Sequence, residues 1–126
     1  MNNDRIVANE APKPVGPYSL GIQAGKLIFC SGEIGTDPKT GKLVHSVAEQ
    51  TERALQNVEI TLKSIGLSLN SIVKTTIYLI DVKDFEQVNE VYAKHFSPPY
   101  PARSTVVVAA IPKGARVEID AIALID

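Results

Sequence analysis

A chain of 126 residues in which 13 Lys and Arg stand against 14 Asp and Glu carries a formal charge of -1, which argues against an electrostatic grip on nucleic acid. Its 44% apolar and 21% charged residues are ordinary for a water-soluble globular chain, long enough to bury roughly two thirds of its unfolded surface as one domain over residues 1–126. The single cysteine, Cys30, excludes an intrachain disulfide, and His45 and His95 stand too far apart for a helical metal pair, so no metal site is expected. Met1-Asn2-Asn3-Asp4 lacks the pattern of a signal peptide, and the longest apolar run, Val106 to Ile111, is too short to span a bilayer. The expectation is a cytoplasmic protein with no membrane partner.

In chain order, Arg5 to Ala8 reads as a short edge strand, and Pro12, Pro14, Gly16 and Pro17 force an extended approach to Tyr18. Leu20 and Ile22 open a strand that turns at Ala24-Gly25-Lys26 and returns as Leu27-Ile28-Phe29-Cys30, a hairpin ending at Ser31-Gly32. A glycine just past a hydrophobic strand lets another group approach the backbone closely, so Gly32 is a candidate ligand-side position. Asp37 to Gly41 reads as a surface loop.

Ser46-Val47-Ala48-Glu49 is a capping box, and Val47, Thr51, Ala54, Leu55, Val58, Leu62 and Ile65 form one helical stripe that Gly66 closes. A strand over 71–80 puts Val73, Ile77 and Leu79 on one face and Lys74, Thr76 and Tyr78 on the other. A second helix over about 84–96 buries Phe85, Val88, Tyr92 and Phe96 before Pro98-Pro99 stops it.

Pro101-Ala102-Arg103-Ser104 then leads into Thr105-Val106-Val107-Val108, and after a turn at Pro112-Lys113-Gly114 comes a strand through Val117-Glu118-Ile119. Arg103 stands at the mouth of a β-branched run, where its fixed fork can reach into a cleft. If these two strands pair as a hairpin, Arg103 and Glu118 meet, a carboxylate anchor beside a proton carrier. Read singly, Arg103 is equally an ion-pair residue, Glu118 a cross-strand partner of Arg116 or Arg103, Tyr18 a half-buried aromatic and Asn89 a helix-surface amide. His45 and His95 read as loop and helix-surface residues. The last strand turns apolar on both faces at Ile122 and Leu124, more surface than two helices cover, which predicts a homo-oligomer.

Asn9-Glu10-Ala11-Pro12, Gly16-Pro17-Tyr18, Ser31-Gly32, Lys74-Thr75-Thr76, Phe85 with Val88-Asn89, Pro101-Ala102-Arg103-Ser104 and Val117-Glu118-Ile119, in this order, resemble the reactive intermediate deaminase family of small YjgF-like proteins. The resemblance implies an α+β fold like that of a bacterial chorismate mutase, a mixed sheet of about six strands with two helices on one face. It also implies a homotrimer with a cleft at each subunit boundary. Carried onto this chain, the family's carboxylate-binding arginine is Arg103, its acid/base glutamate is Glu118, and its cleft-lining residues are Tyr18, Ser31, Gly32 and Asn89. Two positions depart from the pattern. Thr105 stands where many members have cysteine, leaving its main-chain carbonyl to serve, and Glu33 follows Ser31-Gly32 where many have glutamine, adding negative charge beside the cleft.

The implied reaction is hydrolysis of 2-enamines and 2-imines, such as 2-aminoacrylate and 2-iminobutanoate, to 2-keto acids and ammonia, with no cofactor. A protonated imine is already an electrophile, so the chemistry needs orientation and proton transfer, which Arg103 and Glu118 would supply. Ser31 lacks an evident His partner and reads as a hydrogen-bonding residue rather than a nucleophile. The alternatives are a non-enzymatic receptor for small carboxylates and, less favoured by the neutral charge, a ribonuclease.

Overall fold

The computed structural model describes residues 4–126, of which β1 (Arg5–Ile6), β2 (Gly21–Ala24), β3 (Leu27–Glu33), β4 (Ile72–Leu79), β5 (Ala102–Val107) and β6 (Val117–Leu124) form one sheet. The strands lie in the order β1-β2-β3-β6-β4-β5; β4 and β5 are parallel, and the other pairs are antiparallel. Helices α1 (Val47–Lys63) and α2 (Phe85–Ala93) pack together on one face.

Local signals set several elements. Gly25, at φ 62°, turns β2 into β3 with Ala24 opposite Leu27. Ser46 Oγ accepts from the Glu49 amide at 3.1 Å while Glu49 accepts from the Ser46 amide at 3.0 Å, so two free N–H groups of α1 are satisfied at once. Gly66, at φ 81°, ends that helix, and the Leu67 amide reaches back to the Leu62 carbonyl at 3.0 Å. Ile28, Leu55, Leu62, Ile77, Leu79 and Ile119 form the sealed centre between sheet and helices.

Four expectations change. β5 and β6 are not a hairpin, because α2 carries the chain across so that β5 lies parallel on β4, and β4 separates it from β6. In β4, a bulge between Ile72 and Lys74 makes Ile72 the core residue and leaves Val73 43% exposed. Phe85 and Ile65 are exposed rather than buried, since each sits at or beyond a helix end; Val91 joins Val88 and Tyr92 in the buried face of α2. Leu20 turns inward against Ala8 and Ala11, whereas Ile22 faces outward opposite Phe29.

The sheet face away from the helices is apolar over β3 and β6. Leu27 lies opposite Leu124 and Phe29 opposite Ile122, and Leu27, Phe29 and Leu124 are all exposed. Among the described residues no helix is long and apolar enough to cross a membrane.

Candidate functional site

A cavity of about 640 Å³ opens where the end of β3 meets the start of β6, lined among others by Tyr18, Ser31, Gly32, Glu33, Lys113 and Glu118. Gly32 is what admits Glu118. A Cβ at position 32 would collide with the Glu118 carboxylate, so the close approach expected of this glycine is to a side chain across the sheet. Ser31 spends its hydroxyl on the Ser19 carbonyl at 2.5 Å, and its amide donates to the Leu20 carbonyl at 2.9 Å. It thereby straps the segment bearing Tyr18 to β3. Tyr18 is half exposed, and its hydroxyl oxygen accepts from the Val15 amide at 3.3 Å.

Burial, and then the charge of Asp120, raises the proton affinity of Glu118 above that of an ordinary glutamate. Asp120 is itself held by the Tyr78 hydroxyl, which donates to it at 3.0 Å. The expected ion pair of Glu118 with Arg116 does not form, because Arg116 bonds Asp84 at 2.7 Å.

Arg103 lies elsewhere. In β4, Thr75 and Tyr78 are three residues apart and point to opposite faces; Arg103 registers with Thr75, and Glu118 with Tyr78. The guanidinium therefore sits on the helix side, 5.0 Å from the centre of the Tyr92 ring and 5.8 Å from that of Phe85. Those rings hold it by cation–π attraction rather than by an ion pair. Tyr92 is fixed in turn by a 2.8 Å hydrogen bond between its hydroxyl and that of Thr75, and by its contact with Phe96. Burial raises the Tyr92 phenol, against the opposing pull of the Thr75 hydrogen bond and the Arg103 charge.

Asn89 shares the stripe of α2 with Phe85 and Tyr92, so it belongs with Arg103, not with the cavity. Thr105, two residues along β5 from Arg103, has a buried hydroxyl without a hydrogen-bond partner among the described residues. The predicted residues thus fall into two groups: Tyr18, Ser31, Gly32 and Glu118 on one side, Arg103, Thr105 and Asn89 on the other.

Glu33 corrects another expectation. A bulge between Cys30 and Glu33 turns its side chain inward, opposite Ile119, leaving it 8% exposed. Burial first, and then the neighbouring Glu118, push its carboxyl up to about 8. The same surroundings raise the Cys30 thiol to about 12, burial first, then Glu33 and Asp120, which makes it inert. Lys113, in the left-handed region at φ 62°, also lines the cavity and carried no signal in the sequence beyond its turn. His95, past the end of α2, is bonded to Glu52 of α1 at 2.8 Å rather than free on the surface. Among the described residues no three His, Cys, Asp or Glu side chains converge as a metal site.

The family model described as Endoribonuclease L-PSP matches residues 8–125. The chain is 50% identical over 124 residues to the chloroplastic Reactive Intermediate Deaminase A of Arabidopsis thaliana, covering 98% of this chain and 66% of that protein. It is 45% identical over 122 residues to the human 2-iminobutanoate/2-iminopropanoate deaminase, covering 95% and 89%. The crystal structure of E. coli TdcF with bound serine superposes with a TM-score of 0.91 at 38% identity, over 97% of this chain and 98% of that one. A match from end to end in sequence and in fold leaves one reading of its kinship: the chain belongs to the reactive intermediate deaminase family, the one described as Endoribonuclease L-PSP.

Proposed function

We propose that this protein hydrolyses 2-enamines and 2-imines of small carboxylic acids to 2-keto acids and ammonia, in a site completed by two copies of the chain. The observation that carries this reading is the division of the site. Among the described residues, Glu118 lines a cavity that holds no arginine, while Arg103 sits on the opposite face at the sheet edge with no carboxylate partner. One chain offers a base and an anchor that cannot reach one substrate; two neighbouring chains can bring them together. The apolar pairs Leu27–Leu124 and Phe29–Ile122 on the open face, and the exposed Val106 and Val107 on the edge strand β5, are surfaces that such an assembly would cover. A homotrimer on a chorismate-mutase-like pattern, with its clefts at the subunit boundaries, fits these needs.

Arg103 of one copy takes the substrate carboxylate with its paired N–H donors, while Asn89 and the Thr105 carbonyl stand beside it. Tyr18, Ser31 and Gly32 of the other copy shape the cavity wall. A water molecule adds its oxygen to the imine carbon, Glu118 takes a proton from it, and the C=N π electrons move to nitrogen. The proton then passes from Glu118 to that nitrogen, and as the C–N bond breaks and ammonia leaves, Glu118 takes the proton of the new hydroxyl, whose electron pair closes the keto C=O. The raised proton affinity of Glu118 suits a group that must both accept and return a proton.

Mixing variants tests this. Arg103→Ala and Glu118→Gln are each expected to lose activity, Arg103→Ala by about 1.5–3 kcal/mol, or ten- to over a hundredfold in kcat/KM. Subunits of the two, unfolded and reassembled together, should regain activity because some boundaries join native Arg103 to native Glu118. The readout is 2-oxobutanoate release from threonine dehydratase and threonine with a semicarbazide trap for the imine. Reassembly without recovery would refute the shared site. A receptor for small carboxylates, a reading favoured by the serine held by TdcF, would bind 2-oxobutanoate, show no turnover and be indifferent to Glu118→Gln.

A further inference from the structure

Glu33 has no place in the reaction as written above, yet it is a carboxyl nine-tenths buried in the wall of the same cavity as Glu118. Among the described residues it has no hydrogen-bond or ion-pair partner. The three salt bridges join Lys63 to Glu59, His95 to Glu52 and Arg116 to Asp84. Among the described residues no cation lies within 4 Å of its carboxylate. Its own strand β3 offers Cys30; β6 offers Glu118 and Asp120; and the buried polar residues of α1 are the uncharged Gln50, Thr51, Asn57 and Thr61. Lys13 and Lys113 line the cavity but are exposed, and neither approaches a carboxylate within 4 Å. An ionised carboxylate is not stable in such a place, and two of them side by side are less so.

We propose that Glu33, the buried and unpartnered carboxyl in the wall of this cavity, sets how much negative charge faces the substrate beside Glu118, so that its ionisation repels anionic ligands. This rests on the proposed function for the identity of the ligand, a small carboxylate, although the titration of Glu33 is independent of any turnover. With ligand bound, the Arg103 supplied by a second copy does not remove the effect, since its fork is then committed to the ligand's own carboxylate. A glutamine at position 33 would stay neutral at every pH, whereas Glu33 is glutamine-like below its titration and charged above it.

The sign for stability follows from linkage. A carboxyl raised in the folded state favours folding fully below its unfolded value of 4.5, and that contribution is lost as pH rises to about 8. Against Glu33→Gln, whose side chain does not titrate, the wild type should lose about tenfold in its unfolding equilibrium per pH unit across that window, then run parallel to the variant above it. In the wild type, the Glu33 side-chain carboxyl resonance, assigned by its absence from Glu33→Gln, should titrate with a midpoint near 8. If only the protonated form binds, 2-oxobutanoate should bind the wild type about tenfold more weakly at pH 9 than at pH 7, while its affinity for Glu33→Gln stays flat.

A Glu33 midpoint in the ordinary carboxylate range, or the same pH dependence of 2-oxobutanoate affinity in both proteins, would overturn the proposal. Failure of the wild type to release keto acid at any pH, with the midpoint near 8 and the difference in affinity intact, would instead overturn the deaminase reading and leave the role of Glu33 standing.

Discussion

The cavity around Glu118 and the shelf around Arg103 place opposite charges by opposite means. Glu118 is positioned by subtraction: Gly32 lacks the Cβ that would collide with it, and a bulge turns the next residue inward. Arg103 is positioned by addition, with two aromatic rings beneath it and a hydroxyl pair, Thr75 with Tyr92, holding the nearer ring. The first side leaves its carboxyls poorly solvated and raises their proton affinity; the second holds a permanent cation that needs no titration. The difference teaches that the carboxylate side is the one built from missing atoms, and so the one most sensitive to small additions.

The sharpest way to break this comparison is Gly32→Ala. A single methyl should displace the Glu118 carboxylate and lower kcat/KM about a hundredfold, the scale of a misplacement near 1 Å, with far-UV circular dichroism unchanged. Full activity would mean that the close approach does not set Glu118. On the other side, Tyr92→Leu removes the nearer ring and should raise KM roughly two- to thirtyfold with little change in kcat, while Tyr92→Phe keeps the ring and most of the function. Equal losses in both variants would shift the weight to the Thr75 hydrogen bond.

The pH profile sharpens the same contrast. Glu118 must be ionised to take a proton from water, so kcat/KM should fall as pH drops through its raised value; Asp120→Asn, which removes one of the two causes of that rise, should move this limb to lower pH. An unmoved limb would assign it to another group. The smallest effect is expected from Thr105→Val. Its hydroxyl is buried without a partner, so the isosteric change should stabilise the protein by about 1 kcal/mol, read as a higher Tm.

The sequence offered the candidate residues as one list, which the structure divides between two faces of the sheet. Ser31, Gly32 and Tyr18 were readable as a group because a hairpin and a proline-rich approach keep them close along the chain. Arg103 and Glu118 were not, because their relation depends on the strand between them. The burial of Glu33 was hidden for a related reason: the bulge that turns its side chain inward depends on a strand that lies far away in sequence.

What the amino-acid sequence determined by itself was short-range. The capping box at Ser46, the glycine turns at 25 and 66 and the alternation of Val117, Ile119, Ala121 and Ala123 depend on neighbours within a few positions, where dihedral preference and side-chain period suffice. The tertiary structure alone decided the rest. The crossover through α2 sent β5 to the far side of β4 and put Arg103 on the helix face, while two bulges reversed which residues of β3 and β4 point inward. A bulge is a one-residue slip that only the pairing strand can reveal, and with a side-chain period of two that slip exchanges core for surface.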